Sequence, residues 1–505
     1  MSMFPENKTK TLRPDQAATI EWIREALLDG HRRVMVAAPT GAGKTVIAAK
    51  IIEMARAKNK RVAFVVPAID LIDQTVERLR EDGIEEVGVE QATHERSNWD
   101  EPIQVCSVQT LLARGLERLK GKFDLVIIDE AHTWFKFYGD WMFDQDWLKI
   151  PFIGLSATPW TKGLGAFYTK LVIAGTTQSL IDRGVLCNFK VYGPTSPDLS
   201  EVRISHGEYH EGDLSKVMNT TKLVADVVET YQTLGEGRPA LCYGVDRAHA
   251  KAMQLKFQQA GIAAGYQDMH TKPMQRRRIA REFHEGSLQV VCNVGTLTKG
   301  IDWDVRCIIM ARPTRSEMLF VQIVGRGLRT AKGKDYCLIL DHSDNHQRLG
   351  FVTDIIHTEL DDGSKKPKNT EAPTMPLPKP CPQCKFLKPP RTAKCPACGF
   401  VAEIASEIQH AEGELVEITR KAVAKRFGTT MDDKRRTFGM LLAIAARRGR
   451  QRGWASWKYR EIYDVWPNSL SDAEHVPPTV EMLDWVKSKD IAYAKGKAKH
   501  QEANP

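Results

Sequence analysis

The stretch "AAPTGAGKT" at residues 37–45 decides the fold. The apolar run "RRVMVA" before it predicts a buried strand, and the apolar spacing of "VIAAKIIEMARAK" after it predicts a helix. Glycines between a strand and a helix let backbone N–H groups converge on an anion at the helix N-terminus. The lysine adds a mobile positive charge, and the threonine hydroxyl is suited to Mg²⁺. A glycine-rich bend without a ligand would need neither side chain. The predicted phosphate cradle consists of Pro39, Thr40, Gly41, Ala42, Gly43, Lys44 and Thr45.

The composition is that of an ordinary water-soluble chain of 505 residues, long enough for two to four domains. The formal net charge of +9 permits an anionic partner without requiring one. No apolar run approaches the roughly 18–20 residues that span a bilayer, and the first residues lack a secretory signal, so we expect no membrane partner and a cytosolic protein. Six scattered cysteines suit buried thiols in a reducing compartment. They are Cys106, Cys187, Cys242, Cys292, Cys307 and Cys337.

Strand-like and helix-like patterns alternate twice along the chain, which predicts two doubly wound parallel sheets. Only the first has a phosphate loop. A proline-rich, apolar-poor stretch then predicts a linker, followed by a cysteine module and a helix-like basic region. The predicted segments are residues 1–187, 188–358, the linker 359–380, the cysteine module 381–400 and the helical region 401–505.

The strand "LVIID" ends at Asp129, which Glu130 follows. Ligands of α/β sheets lie beyond the carboxyl ends of the strands, so both acids should face the phosphates held by Lys44. We expect Asp129 to hold the Mg²⁺ shell and Glu130 to orient the attacking water. The alternative is an exposed acidic strand end.

The second predicted sheet carries "QIVGRGLR", with Gln322, Arg326 and Arg329. A phosphate loop in one domain and a helix with paired arginines in another predict ATP bound between the domains, with the arginines reaching the γ-phosphate across the cleft. Hydrolysis would then open and close this cleft.

Taken in order, these motifs resemble those of the superfamily 2 helicases and translocases, over roughly residues 12–345. The resemblance implies two tandem RecA-like domains that hydrolyse ATP with Mg²⁺. It also implies roles for further residues: adenine reading by Gln16, nucleic-acid contacts by Pro67, Thr110 and Thr296, nucleotide contacts by Gly300 and Asp302, and coupling of ATP to strand binding by His132, Ser156 and Thr158.

The motif Asp129-Glu130-Ala131-His132 is of the DEAH type, and the chain looks closest to the RadD-like branch and to phage-encoded helicases. His132 departs from the DEAD-box pattern, which favours DNA, single-stranded or branched, over RNA. The resemblance implies a prokaryotic cytoplasm, or a host cytoplasm if the protein is phage-encoded. We expect a DNA helicase or translocase acting in repair, recombination or replication. The alternatives are a translocase that does not separate strands and an ATP-switched module that recruits other proteins.

Two Cys-x-x-Cys turns, "CPQC" and "CPACG", are separated by ten residues. Four thiolates fill a closed tetrahedral Zn²⁺ site, which shapes a ribbon and leaves no position for a substrate. Two disulfides are the alternative. The sequence leaves three roles for the ribbon: binding nucleic acid, docking a partner such as a single-strand-binding protein, or capping the other domains. The predicted ligands are Cys381, Cys384, Cys395 and Cys398.

Arginines and tryptophans crowd together near the end of the chain. Arg450, Arg452 and Trp454 combine positive charge with stacking surface, which favours contact with nucleic acid, whereas burial of the tryptophans is the alternative. The aromatic stretch at residues 134–147 raises the same choice between a strand channel and the core, and its density favours the core.

Overall fold

The computed structural model describes residues 11–91, 94–193, 196–205, 207–297, 303–364, 377–401 and 427–490. By compactness the chain divides into two units, Met1–Glu403 and Ile404–Pro505. The first unit holds two parallel sheets and the cysteine module. The second unit is helical where it is described.

The first sheet contains seven strands. They are β1 (Arg33–Ala37), β2 (Val62–Val66), β3 (Val87–Glu90), β4 (Ile103–Ser107), β5 (Leu125–Asp129), β6 (Phe152–Ser156) and β7 (Lys170–Ile173). The helices around them are α1 (Pro14–Leu28), α2 (Lys44–Arg56), α3 (Ile72–Glu81), α4 (Val108–Arg114), α5 (Lys136–Phe143) and α6 (Thr177–Asp182). The strand order is β3-β4-β2-β5-β6-β1-β7, and all neighbours are parallel.

The second half of the first unit repeats this architecture. Its strands are β8 (Asn188–Tyr192), β9 (Ile204–Ser205), β10 (Glu208–Tyr209), β11 (Ala240–Tyr243), β12 (Ala264–Gln267), β13 (Val290–Asn293), β14 (Cys307–Met310) and β15 (Tyr336–Asp341). Its helices are α7 (Glu211–Met218), α8 (Thr221–Leu234), α9 (Arg247–Gln259), α10 (Pro273–His284), α11 (Glu317–Gly327) and α12 (Asn345–Leu349). Six strands form a parallel sheet in the order β12-β13-β11-β14-β15-β8, while β9 and β10 form a separate antiparallel hairpin.

Both faces of each sheet are covered, as the apolar runs predict. Along β1, Val34 and Val36 pack into one hydrophobic cluster and Met35 into another, because alternate side chains of a strand point to opposite faces. The six scattered cysteines are all buried and free. Trp141 and Trp147, from the aromatic stretch, lie in the core of the first sheet with their ring centroids 5.1 Å apart.

The cysteine module packs against the edge of the second sheet. It contains two short antiparallel strands, β16 (Lys379–Pro380) and β17 (Leu387–Lys388). The amide of Gly193, just after β8, donates to the Lys385 carbonyl at 3.0 Å, and the rings of Tyr192 and Phe386 meet edge to face at 5.4 Å. The ribbon thereby covers one end of an exposed edge strand.

The second unit contains α13 (Met431–Arg447) and α14 (Arg452–Tyr463), and residues 480–490 are also helical. Apolar residues from all three helical stretches form a separate core. These findings confirm the predicted fold class. Two parallel-sheet α/β domains are followed along the chain by a four-cysteine module and a helical region. The domain boundaries stay predictions, and most of the predicted linker, residues 365–376, lies outside the described residues.

Candidate active site between the two sheets

The phosphate loop has the geometry that its sequence predicts. It leaves β1 and enters α2 at Lys44, and Gly41 and Gly43 adopt left-handed φ values of 85° and 82°. Gly43 caps α2, so the first amides of the helix stay available for an anion. A Cβ at Gly43 would collide with the Gln16 amide nitrogen, so this position requires glycine.

Gln16 contacts the loop itself. Its amide nitrogen donates to the Ala42 carbonyl at 3.0 Å, and its amide oxygen accepts from the Arg13 backbone N–H at 3.1 Å. The Arg13 guanidinium donates to the same Ala42 carbonyl at 2.8 Å. Sequence reasoning missed Arg13, although it stands in the same "LRPDQ" motif as Gln16. Both side chains hold the loop in shape.

The acidic strand end lies beside the loop lysine. Lys44 Nζ is 3.8 Å from Glu130 Oε1, and His132 Nδ1 is 3.2 Å from Glu130 Oε2. Glu130 has a φ of 49°, which is uncommon for a residue with a side chain and frequent at functional positions. Burial, followed by the negative charge of Glu130, raises the pKa of Asp129 to about 6. Two carboxyl groups and an ammonium therefore share one pocket.

The helix α11 of the second sheet reaches across to the first. The Gln322 amide nitrogen lies 3.1 Å from His132 Nε2 and donates to Thr158 Oγ1 at 3.1 Å, and all three side chains are buried. His132 Nδ1 is in turn 2.8 Å from Ser156 Oγ. The predicted coupling residues thus form one chain of hydrogen bonds that crosses the cleft.

Arg326 and Arg329 line the same cleft as Lys44 and Glu130, in a cavity of about 670 Å³. Burial, followed by the positive charge of Arg329, lowers the pKa of Arg326 to about 10, so its guanidinium stays charged at neutral pH. The predicted arginines and the phosphate loop are therefore brought together. Arg78, which the sequence analysis did not single out, lines this cavity too.

Gly325 allows the two sides to come this close. A Cβ at this position would lie 2.8 Å from the Thr40 hydroxyl oxygen of the phosphate loop. Such a contact is shorter than van der Waals distance, so a larger residue here would force the Thr40 side chain, or the helix itself, to move. Nothing in the local sequence around Gly325 signals a neighbour so distant along the chain.

The remaining predicted contacts are more dispersed. The Pro67 carbonyl accepts from the Gln109 side chain at 2.9 Å, and the Thr110 amide donates to Ser107 Oγ, which caps α4. Within the described part of the chain, the buried Thr296 hydroxyl has no hydrogen-bond partner. Gly300 and Asp302 lie outside the described residues. Contact of these residues with nucleic acid or nucleotide stays a prediction.

The basic tail divides into packed and exposed residues. Arg452 donates to the carbonyls of Leu470 and Ser471 at 3.1 and 2.8 Å, and Trp454 is half-buried against the helical core. Arg450 is exposed. Two of the three predicted tail contacts are thus engaged in holding the helical unit together.

The four cysteines of the ribbon converge. Their sulfur atoms all lie within 4.8 Å of one another, with Cys381 and Cys398 at 3.8 Å and Cys384 and Cys395 at 3.7 Å. A tetrahedral zinc with bonds of about 2.3 Å places its ligand sulfurs about 3.8 Å apart. A disulfide needs about 2.05 Å between its sulfur atoms, so these sulfur positions fit a metal site rather than two disulfides.

Two family matches follow the two sheets. Residues 9–160 match the family described as the res subunit of type III restriction enzymes, and residues 222–331 match the helicase conserved C-terminal domain. The chain belongs to superfamily 2 of the helicases. The more specific RadD-like placement stays a prediction.

Relatives of this helicase occur in yeast and in a phage. IRC3 of Saccharomyces cerevisiae, named as an ATP-dependent helicase, is 30% identical over 351 residues, which cover 65% of this chain and 51% of IRC3. A 51.5 kDa protein of a Lactococcus phage is 27% identical over 492 residues, which cover 90% of this chain and all of the phage protein. The match thus spans about half of the yeast protein.

Solved structures share the fold of this helicase. A fragment of an HsdR subunit of a type I restriction enzyme from Vibrio vulnificus superposes with a TM-score of 0.53 at 18% identity, over 66% of this chain and 65% of that chain. The type ISP restriction-modification enzyme LlaBIII, solved bound to DNA, gives 0.50 at 19% identity, over 66% of this chain and 28% of that chain. Among the described residues of this helicase, no helix has the length and apolar character needed to cross a membrane.

Proposed function

We propose that this helicase is an ATP-driven motor that moves along DNA and separates its strands. One observation carries the proposal: the phosphate loop and acidic pair of the first sheet share a cavity with Arg326 and Arg329 of the second. A nucleotide in this cavity would contact both domains at once. Binding and hydrolysis would therefore change the distance between them.

Each side chain has a defined role in this proposal. Lys44 and the α2 amides bind the triphosphate, and Glu130 orients the water that attacks the γ-phosphate. Arg326 stabilises the charge that develops on the transferred phosphoryl group. Thr45 and Asp129 would hold Mg²⁺, which neutralises phosphate charge when bound. The hard oxygen donors of these two side chains suit that ion.

The chain of hydrogen bonds through Gln322, His132 and Thr158 would report the state of the nucleotide to the strand-binding surface. Opening and closing of the cleft would then move contacts at Pro67 and Thr110 relative to Thr296, so that the domains grip the backbone alternately. Because backbone contacts carry no sequence information, stepping would not depend on sequence. The DNA-bound state of LlaBIII supports DNA as the polymer.

We infer further that the motor acts in DNA repair, recombination or replication, in the cytoplasm, beside a single-strand-binding or similar protein. The free, buried cysteines suit a reducing compartment. Zn²⁺ would be held by the four cysteines of the ribbon, which is a closed structural site and takes no part in hydrolysis.

The decisive experiment measures ATP hydrolysis without polymer, with single-stranded DNA, with duplex DNA and with RNA at one fixed salt concentration, since backbone binding depends steeply on salt. A labelled partial duplex reports strand separation in parallel. We expect stimulation by DNA above that by RNA. Stimulation without strand separation would reduce the proposal to translocation, and the absence of stimulation by any polymer would overturn it.

Glu130→Gln sharpens this experiment. The substitution removes the charge that orients the attacking water, and we expect a loss of about 10²- to 10⁴-fold in turnover with the fold intact. Glu53→Gln on α2 is the matched control, because Glu53 pairs with Lys50 at 2.9 Å on the outside of the same domain. Equal rates for the two variants would remove Glu130 from the mechanism.

A further inference from the structure

An aromatic surface on the helical unit has no role in its core. Trp457 and Trp466 are 59% and 40% exposed, and their rings meet edge to face with centroids 5.0 Å apart. The Arg460 guanidinium lies 4.7 Å from the Trp466 ring centroid and 5.7 Å from that of Trp457. We call these three side chains the Trp457–Trp466 platform.

The helix explains why the platform faces outward. Ala455, Tyr459 and Ile462 recur at spacings of four and three along α14 and are buried in the core of the unit. Trp457 and Arg460 fall on the opposite, exposed face. The fold therefore does not require a tryptophan at position 457.

The end of the helix brings the second tryptophan back onto the same face. Asp464 adopts a left-handed φ of 58° and its amide donates to the Arg460 carbonyl at 2.9 Å, which terminates α14 and reverses the chain. Trp466 thereby returns to Trp457. Gly453 lies one helical turn before Trp457, and a Cβ added at Gly453 would have no atom within 4 Å. The space beside the platform is therefore open at this end.

The charge just before the platform is positive. Residues 447–460 contain six arginines and lysines and no aspartate or glutamate, whereas Glu461 and Asp464 lie between the two tryptophans. Some of these cations are used within the unit, as Arg448 pairs with Asp490 at 2.6 Å and Lys458 with Glu461 at 3.0 Å. Arg450 is exposed and lies just before the start of α14, seven residues before Trp457.

We propose that the Trp457–Trp466 platform binds unpaired bases of single-stranded DNA. Exposed aromatic rings beside a positively charged segment are the combination that stacks on bases and attracts the backbone. Duplex DNA hides the faces of its bases, so the platform selects the single strand. The inference rests on the proposed motor function, and it relocates the predicted tail contact from Trp454 to Trp457 and Trp466.

The test compares two ligands and two variants of the full-length chain. Fluorescence anisotropy measures binding to an oligothymidylate and to a base-free sugar–phosphate strand of equal length, at one salt concentration. We expect the wild type to prefer the strand with bases. The double variant Trp457→Ala/Trp466→Ala should lose about 5- to 150-fold in affinity for that strand and little for the base-free one.

Two further variants control the result. Trp22→Ala removes a tryptophan that is 47% exposed on α1, and it should bind both strands as the wild type does. Trp457→Phe/Trp466→Phe keeps flat aromatic faces and should restore most of the preference. Unchanged binding of oligothymidylate by the double alanine variant would overturn the proposal, as would an equal loss for both strands.

ATP hydrolysis separates this inference from the proposed motor function. The double alanine variant should reach the wild-type turnover at saturating single-stranded DNA but need more DNA for half-maximal stimulation. A wild-type protein that DNA does not stimulate refutes the motor, whereas a double alanine variant with unchanged DNA requirement refutes the platform alone.

Discussion

The two parallel sheets of this helicase share an architecture and divide the chemistry between them. The first contributes a phosphate loop, a lysine and two carboxyl groups, whereas the second contributes Gln322 and Arg326 on α11 and Arg329 just beyond the end of that helix. In the proposed mechanism neither set is sufficient by itself, because attack on the γ-phosphate needs both a positioned water and positive charge at the transferred group. The proposed active site therefore requires both sides of the cleft.

Uncharged residues also join the two sheets at this interface. Gly325 meets Thr40 at a distance that leaves no room for a Cβ, and the buried Gln322 contacts both His132 and Thr158. Packing at these positions sets how closely α11 and Arg326 approach the phosphate loop. Substitutions in the first and in the second sheet should thus show how much each sheet contributes to turnover.

The largest effect is expected from the second sheet. Arg326→Ala removes a guanidinium that lines the cavity beside Lys44 and that we propose to contact the γ-phosphate. We expect turnover to fall by about 10³- to 10⁵-fold while nucleotide binding by the first sheet persists. Steady-state phosphate release and binding of a fluorescent nucleotide measure the two quantities. Arg281→Ala, on the exposed face of α10, is the control and should keep the wild-type rate. Turnover of Arg326→Ala within tenfold of wild type would contradict the shared site.

A pH profile of Arg326→Lys sharpens this comparison. Burial lowers the pKa of Arg326 to about 10, so the wild type keeps the charge through pH 9. The same burial should lower the pKa of a lysine at this position below its usual value of about 10.4. As pH rises through this lowered pKa the lysine loses its charge, so the turnover of the variant should begin to fall at a lower pH than that of the wild type. Parallel profiles would show that the position is not desolvated.

The residues that the first sheet contributes to the cleft could be predicted in detail from the sequence. The phosphate loop and Asp129 follow directly from strand ends that apolar runs mark, and periodicity is local information. The convergence of Arg326 with Lys44 was predictable only from the order of the motifs. What could not be predicted was the close approach of Gly325 to Thr40, since contacts between distant segments leave no local pattern.

In the helical unit, too, contacts between distant residues could not be predicted from the local sequence. The sequence correctly indicated a basic region rich in tryptophan, but not which rings the core would take. Arg452 and Trp454 contact the rest of the helical unit, whereas Trp457 is exposed, because Ala455 and its buried neighbours set the phase of α14. The composition therefore predicts a basic, aromatic surface, but the packing of the helices determines which side chains are exposed on it.

A smaller effect is expected at the contact that joins the two sheets. Gln322→Ala removes the hydrogen bonds to His132 and Thr158 but leaves the arginines in place, so we expect strand separation per ATP to fall about tenfold while hydrolysis without DNA changes little. Hydrolysis and strand separation are measured in the same reaction. Gln347→Ala on α12, where the side chain bonds Asp344 at 2.8 Å, is the control. A proportional loss in both activities would show that Gln322 serves hydrolysis rather than coupling.

The smallest effect on turnover is expected from the ribbon, which only the second sheet carries. The sulfur positions predict one zinc per chain, measured by elemental analysis, and Cys395→Ser should lower zinc content and melting temperature while ATP turnover stays within about twofold. Cys307→Ala, a buried cysteine outside the ribbon, should keep one zinc. Because the ribbon contacts the sheet edge at Gly193 rather than the cleft, its loss should destabilise β8 without moving Arg326. If Cys395→Ser instead lost as much turnover as Arg326→Ala, the ribbon would contribute to hydrolysis. The catalytic contribution of the second sheet would then not be limited to the residues that line the cleft.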